Sequence, residues 1–229
     1  MSLLLQIETA TTACSVALTE GRQLLALKEL NERNRHAEVL TLFIEEVMHA
    51  AGKNWLQLDA VAVSSGPGSY TGLRIGVSTA KGLCYATGKP LIAVETLQAM
   101  ASGFGRDNAA MIDNQTLLCP MIDARRMEVY TALYTSQGEC IAPTSAQIID
   151  ADSFAAELQN QKIIFFGDGA AKCSEVLAHQ PHAVFITDYL NSARHLTNLA
   201  ASKFEQQQFE DVAYFEPFYL KDFIAGKKG

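Results

Sequence analysis

The sequence predicts an α/β fold with mixed sheets, and three observations carry that prediction. Three short apolar segments, at 3–7, 14–18 and 24–30, follow one another with only small or polar residues between them, the pattern of an antiparallel meander. Helix-like and strand-like segments then alternate. A second, weaker series in the same order begins after a Gly-, Asp- and Asn-rich stretch at 104–115. Strands joined through helices pair in parallel and consecutive strands pair antiparallel, so each half should hold a mixed sheet. The lobe boundary falls in the polar stretch, giving residues 1–108 and 109–229.

In the first half the meander is followed by a helix at 36–51, a strand at 60–64, a helix at 73–86, a strand at 91–94 and a helix from Thr96. In the second, 117–122 and 128–134 read as strands, with Val129, Thr131 and Leu133 alternating against Tyr130, Ala132 and Tyr134. Gly138 marks the turn after them. A capped helix is expected from Asp150 or Asp152, a strand at 162–166, and a last helix from Asn191-Ser192 to about Phe204.

Composition narrows the function. The 229 residues are 48% hydrophobic, enough for a buried core. Eighteen Lys and Arg against 25 Asp and Glu give a formal charge of −7, no block of basic residues interrupts that balance, and the terminal pair Lys227-Lys228 is what stands out. Phosphate neutralisation supplies much of the affinity for RNA, so this balance argues against RNA binding by the chain alone. Cys14, Cys84, Cys119, Cys140 and Cys173 have no metal-ligand spacing and read as buried free thiols of a reducing, cytoplasmic setting. The start lacks the basic region of a signal peptide, and no stretch is long enough to span a membrane.

The run Ser65-Gly66-Pro67-Gly68-Ser69-Tyr70-Thr71-Gly72-Leu73-Arg74-Ile75-Gly76 links a strand to a helix start. Glycines allow backbone angles that other residues disfavour, and Ser69 or Thr71 can cap the helix. Such a turn can receive an anion. The run has neither the lysine of a P-loop nor the spacing of a dinucleotide fingerprint, and the plainer reading is a tight structural turn.

That run resembles the signature of the TsaB (YeaZ-like) family of the bacterial tRNA threonylcarbamoyladenosine machinery. So do Ile7-Glu8-Thr9-Ala10-Thr11, Arg35-His36-Ala37-Glu38, the stretch from Asp123 to Tyr130, and Tyr219-Leu220-Lys221, all in the family's order. The resemblance implies two ribonuclease-H-like lobes of the actin, sugar kinase and heat-shock chaperone ATPase type. It implies a cytoplasmic, non-catalytic subunit supporting a TsaD-like partner in threonylcarbamoyl transfer to adenosine 37 of tRNA. A TsaE-like ATPase would join the complex, tRNA would be reached only through it, and the chain would also pair with itself.

In related ATPases a carboxylate and small hydroxyl residues after the first strand lie near metal-bound phosphate, which draws attention to Glu8, Thr9 and Thr11 with Gly66, Gly68 and Ser69. Gly167-Asp168-Gly169 falls where relatives hold an adenosine. These positions form a vestigial nucleotide site with at most weak ATP or ADP binding, or they are turns, with Asp168 capping the following helix. No intrinsic cofactor is implied. TsaD-like subunits carry a segment resembling Val-Asn-His-Met-Glu-Gly-His after the glycine helix, with two metal-binding histidines four apart. Here the segment reads Val94-Glu95-Thr96-Leu97-Gln98-Ala99-Met100, and neither hydroxyl nor thioether replaces imidazole comparably, so no metal is expected. His36, His49, His179, His182 and His195 form no convincing cluster and read as surface or turn residues.

The helix at 36–51 is too apolar for one neighbour. Its apolar members run from Leu42 through Val39, Phe43, Val47, Leu40 and Ile44 to Met48 over an arc of roughly 240°, where covering a sheet needs a stripe little wider than about 100°. One edge should face a partner, and Gly72, Gly76 and Ala80 on the next helix would let a neighbouring helix approach. The resemblance implies that this pair of helices bundles with TsaD. The competing readings are an ATP-dependent small-molecule kinase, which requires a nucleotide site at Glu8 and Gly167 to Gly169, and a peptidase, which requires a nucleophile or metal constellation that the sequence does not display.

Overall fold

The computed structural model describes residues 1–221, so the Lys227-Lys228 pair lies outside the described residues. The first half runs β1 (Leu3–Glu8), β2 (Ala13–Glu20), β3 (Gln23–Asn31), α1 (His36–Ala50), β4 (Ala60–Ser64), α2 (Tyr70–Thr87), β5 (Leu91–Val94) and α3 (Thr96–Asp107). The second runs β6 (Leu117–Asp123), β7 (Glu128–Thr135), β8 (Cys140–Ile148), α4 (Ala155–Leu158), β9 (Ile163–Phe166), α5 (Ala170–Leu177), β10 (Ala183–Ile186) and, after a 3-10 turn at Ala193–Leu196, α6 (Thr197–Glu205). The sheets have the orders β3-β2-β1-β4-β5 and β8-β7-β6-β9-β10, the same topology twice. In each, two antiparallel pairings precede two parallel ones, as the alternation of elements requires.

The pleat sends alternate residues to opposite faces. Leu3, Leu5 and Ile7 of β1 join Val61 and Val63 against α1 and α2, whereas Leu4 joins Ala60, Ala62, Ile92 and Val94 against Leu196, Ala200 and Ala201. The second sheet does likewise. Its outer face packs on Cys173 and Leu177 of α5, and its inner face packs on Leu97, Met100 and Phe104 of α3. The helices do not divide as the sheets do: α3 packs mainly on the second sheet, with Ala99 reaching the first, and α6 packs on the first.

Several expectations need correction. Strands β8 and β10 are absent from the sequence reading. β8 is an exposed edge containing Pro143, which an edge tolerates but which hides the strand pattern, and β10 is a half-buried run of four. The helix expected from Asp150 or Asp152 begins at Ala155 instead, because Asp150 uses its carboxylate on Asp152 N and the Ser153 hydroxyl in a local turn. Cys140 is exposed, while the other four cysteines are buried. His36 and His195 are buried rather than superficial. Among the described residues, no helix is long and apolar enough to cross a membrane.

Candidate functional site

The outward edge of α1 is settled by burial. Leu42 is 54% exposed and Phe43 half-buried, whereas Val39, Leu40, Ile44, Val47 and Met48 lie in the core of the first lobe, Met48 at 4%. Val39, Leu40, Val47 and Met48 thus contribute to the chain's own stability and offer no surface. Gly72, Gly76 and Ala80 are likewise buried. Gly72 faces the β1–β2 turn so closely that a Cβ would lie 2.1 Å from the Thr9 carbonyl oxygen, and one on Gly76 would lie 2.2 Å from Thr9 Oγ1. The small stripe therefore seats the chain's own turn rather than a partner helix. On the opposite face of α2, Arg74, Ser78, Gly82 and Ala86 are exposed at intervals of four, with exposed Tyr85 beside them in sequence. Phe43, Ile75 and Leu83, half-buried, connect both helices to the same core.

The glycine run forms the structural turn. Ser69 caps α2 by accepting from Gly72 N at 3.2 Å, and Gly88 ends the helix in the left-handed conformation. Ser69 N donates to the Ala10 carbonyl at 2.6 Å, and Phe218 N to the Ser65 carbonyl at 2.7 Å. Gly66, with φ of 115°, lies under Phe218, whose carbonyl oxygen would be 2.4 Å from a Cβ there. Two segments of the same chain thus occupy the space against the glycines. Glu8 is 1% exposed, and its carboxylate accepts from Ala10 N at 2.6 Å and Ser64 Oγ at 3.0 Å. Burial pushes its pKa up to about 7 against these hydrogen bonds.

Between the lobes, Thr12, Asn31 and Arg33 face Asp123 and Asp168 across a depression of about 310 Å³. Of the residues read as a nucleotide site, Asp168 lines this depression and Glu8, Thr9, Thr11, Gly66, Gly68, Ser69, Gly167 and Gly169 do not. Asp168 does not cap α5, whose capping position is held by Gly169. Its carboxylate accepts instead from Asp123 N at 2.9 Å and ties the turn to β6. Lys172 pairs with Asp123 beside it. No group of three or more His, Cys, Asp or Glu residues able to hold a metal occurs among the described residues.

Residues 29–228 match the family model described as TsaD, tRNA N6-adenosine threonylcarbamoyltransferase. The chain is 30% identical to the tRNA threonylcarbamoyladenosine biosynthesis protein TsaB of Haemophilus influenzae, over 98% of this chain and 96% of that protein. It belongs to the TsaB family. The crystal structure of a Pseudomonas aeruginosa protein described as similar to peptidase YeaZ superposes with a TM-score of 0.84 at 26% identity, covering 96% of this chain and 100% of that one. An activator of 2-hydroxyisocaproyl-CoA dehydratase from Clostridium difficile, solved with bound ADPNP, superposes with a TM-score of 0.51 at 10% identity, covering 91% and 98%. That second likeness is one of fold alone, the two-lobed fold of the actin-like ATPases.

In this TsaB-family chain, the positions compared with the TsaD histidines are committed to packing. Thr96 Oγ1 accepts from Gly66 N at 3.1 Å, and Thr96 N donates to the Gly66 carbonyl at 2.9 Å, so Thr96 pins the glycine turn. Met100 belongs to the core beneath the second sheet. Sequence reasoning points to the hydroxyls after the first strand, of which Thr12 lines the cleft, and misses Asn31, Arg33 and Asp123. Asp123 carries a usable signal, since it stands at the end of a strand just before a turn, the place where cleft residues collect in α/β sheets.

Proposed function

We propose that this chain is the accessory subunit of a threonylcarbamoyl-transfer assembly that forms threonylcarbamoyladenosine in tRNA. The name of the Haemophilus influenzae relative, matched over nearly the whole of both chains, supports the pathway. The observation that carries the accessory role is the use of Thr96 and Met100 as buried structural residues at the place where a TsaD-like subunit has its metal-binding pair. The chain then supplies a docking face and no metal. Exposed Leu42 on α1 and the exposed side of α2 form that face, taken by a TsaD-like subunit in the complex and by a second copy in its absence. A TsaE-like ATPase joins the assembly, and tRNA reaches it through the partner, consistent with the charge of −7. The assembly works in the cytoplasm.

Nucleotide in this chain alone would have to enter a cleft lined, among the described residues, by Thr12, Asn31, Arg33, Asp123 and Asp168, where one arginine stands against two carboxylates and no glycine turn cradles phosphate, so weak binding at most is proposed. Reconstitution tests the reading. The purified chain alone should neither modify tRNA nor turn over ATP, and adding a TsaD-like subunit with the carbamoyl-adenylate supply should restore modification. Metal-dependent turnover by the chain alone, or modification that proceeds equally well without it, would overturn the proposal.

A further inference from the structure

A second pocket, of about 530 Å³, opens where the edge strands β3 and β10 approach each other, and the docking reading makes no use of it. Its volume lies within the roughly 300–1,000 Å³ of small-ligand sites. Glu29 and Asn31 come from β3, Asp107 from the end of α3, and Asp188, Asn191 and Arg194 from the segment between β10 and α6. The balance of charge is negative. Asp107 is compensated, since Arg106 Nε and Arg194 Nη2 each lie 2.8 Å from its carboxylate. Glu29 accepts a hydrogen bond from Ser15 Oγ at 2.9 Å, and neither it nor Asp188 has an ion-pair partner among the described residues.

His195 does not offset them. It is 4% exposed, and its Nδ1 is 2.9 Å from Tyr189 Oη. Gly103 makes room for it, since a Cβ there would lie 2.3 Å from the imidazole. Burial and the nearby Arg194 lower its pKa to about 4, so it is neutral at physiological pH. The second independent feature is Asn191, 6% exposed, whose Nδ2 is buried without a hydrogen-bond partner among the described residues. An orphaned buried donor is costly and calls for an acceptor. Phe104 and Leu190 add apolar wall.

We propose that this pocket binds a small organic cation, an ammonium group held by Glu29 and Asp188 on a short apolar stem that carries an oxygen acceptor for Asn191. Both carboxylates are exposed, so their attraction is screened and the affinity is modest, in the millimolar range or tighter. The probe is 5-aminopentanamide, which has one ammonium, a four-carbon stem and one carbonyl. Calorimetric titration of the full chain should saturate, and the Asn191 side-chain amide resonance should shift with the same midpoint. Pentanamide, lacking the charge, should bind about tenfold more weakly or not at all. Glu29→Gln with Asp188→Asn should weaken the probe by a similar factor, and Asp188→Asn alone, at an exposed position, should weaken it in part. Glu175→Gln, exposed on α5 and lining neither depression, should leave binding unchanged. An absence of saturable binding, equal affinity for pentanamide, or undiminished binding in folded charge variants would overturn the proposal.

Discussion

Glu8 and His195 are buried ionisable groups whose contributions to stability have opposite dependence on pH, and replacing either should reveal the other. Glu8 rises from an ordinary value of 4.5 to about 7, so between those limits the native state holds a proton that the unfolded chain has released. Its contribution is fully present below 4.5 and is lost as pH rises through 7. His195 falls from 6.5 to about 4, so within that range the unfolded chain holds the extra proton. Its contribution is fully present above 6.5 and is lost as pH falls through 4. Each interval corresponds to about 3 kcal/mol at about 1.4 kcal/mol per pH unit. From 4.5 to 6.5 the two slopes nearly cancel. Glu8→Gln keeps an oxygen for Ala10 N and Ser64 Oγ and mimics the protonated acid. Relative to the parent, this variant should gain about 3 kcal/mol between about pH 4.5 and about pH 8, read from urea unfolding at several pH values. His195→Asn should show the opposite trend relative to the parent across 4 to 6.5. Parent and Glu8→Gln curves that run parallel over this range would refute the reasoning.

Leu42→Glu should leave the thermal melt unchanged yet abolish self-association and binding to a TsaD-like subunit in sedimentation, since Leu42 is exposed. Met48→Glu and Val47→Arg should instead unfold or strongly destabilise the chain, by several kcal/mol, because each buries a charge in the first lobe's core. Gly72→Ala should cost on the order of 2–4 kcal/mol by denaturant titration, as its Cβ would collide with the Thr9 backbone. Thr96→Val should cost about 1–3 kcal/mol by leaving Gly66 N without its acceptor. Electrophoretic shift near physiological salt should show weak tRNA binding by the chain alone, and micromolar or tighter binding would contradict the charge argument.

Much of the architecture was legible because it depends on local periodicity. The segments at 60–64 and 91–94 are apolar runs bounded by polar residues or turns, and both became strands with those bounds. Ser69 was legible as a cap because capping joins residues three apart in sequence. The apolar arc of α1 was legible as an excess, but its outward edge was not. Helical geometry fixes which residues share a face, and only the placement of the sheet decides which face is covered; here it covered Met48 and left Leu42 in water. The same limit applies to Gly72 and Gly76, whose spacing suits a helix neighbour but whose actual neighbour is Thr9, far away in sequence. Glu8 could be placed at a strand end, yet its raised pKa comes from burial, which the chain acquires only on folding. The pocket of Glu29, Asp188 and Asn191 lay beyond the sequence altogether, because its walls come from segments distant along the chain that meet only when both sheets are in place.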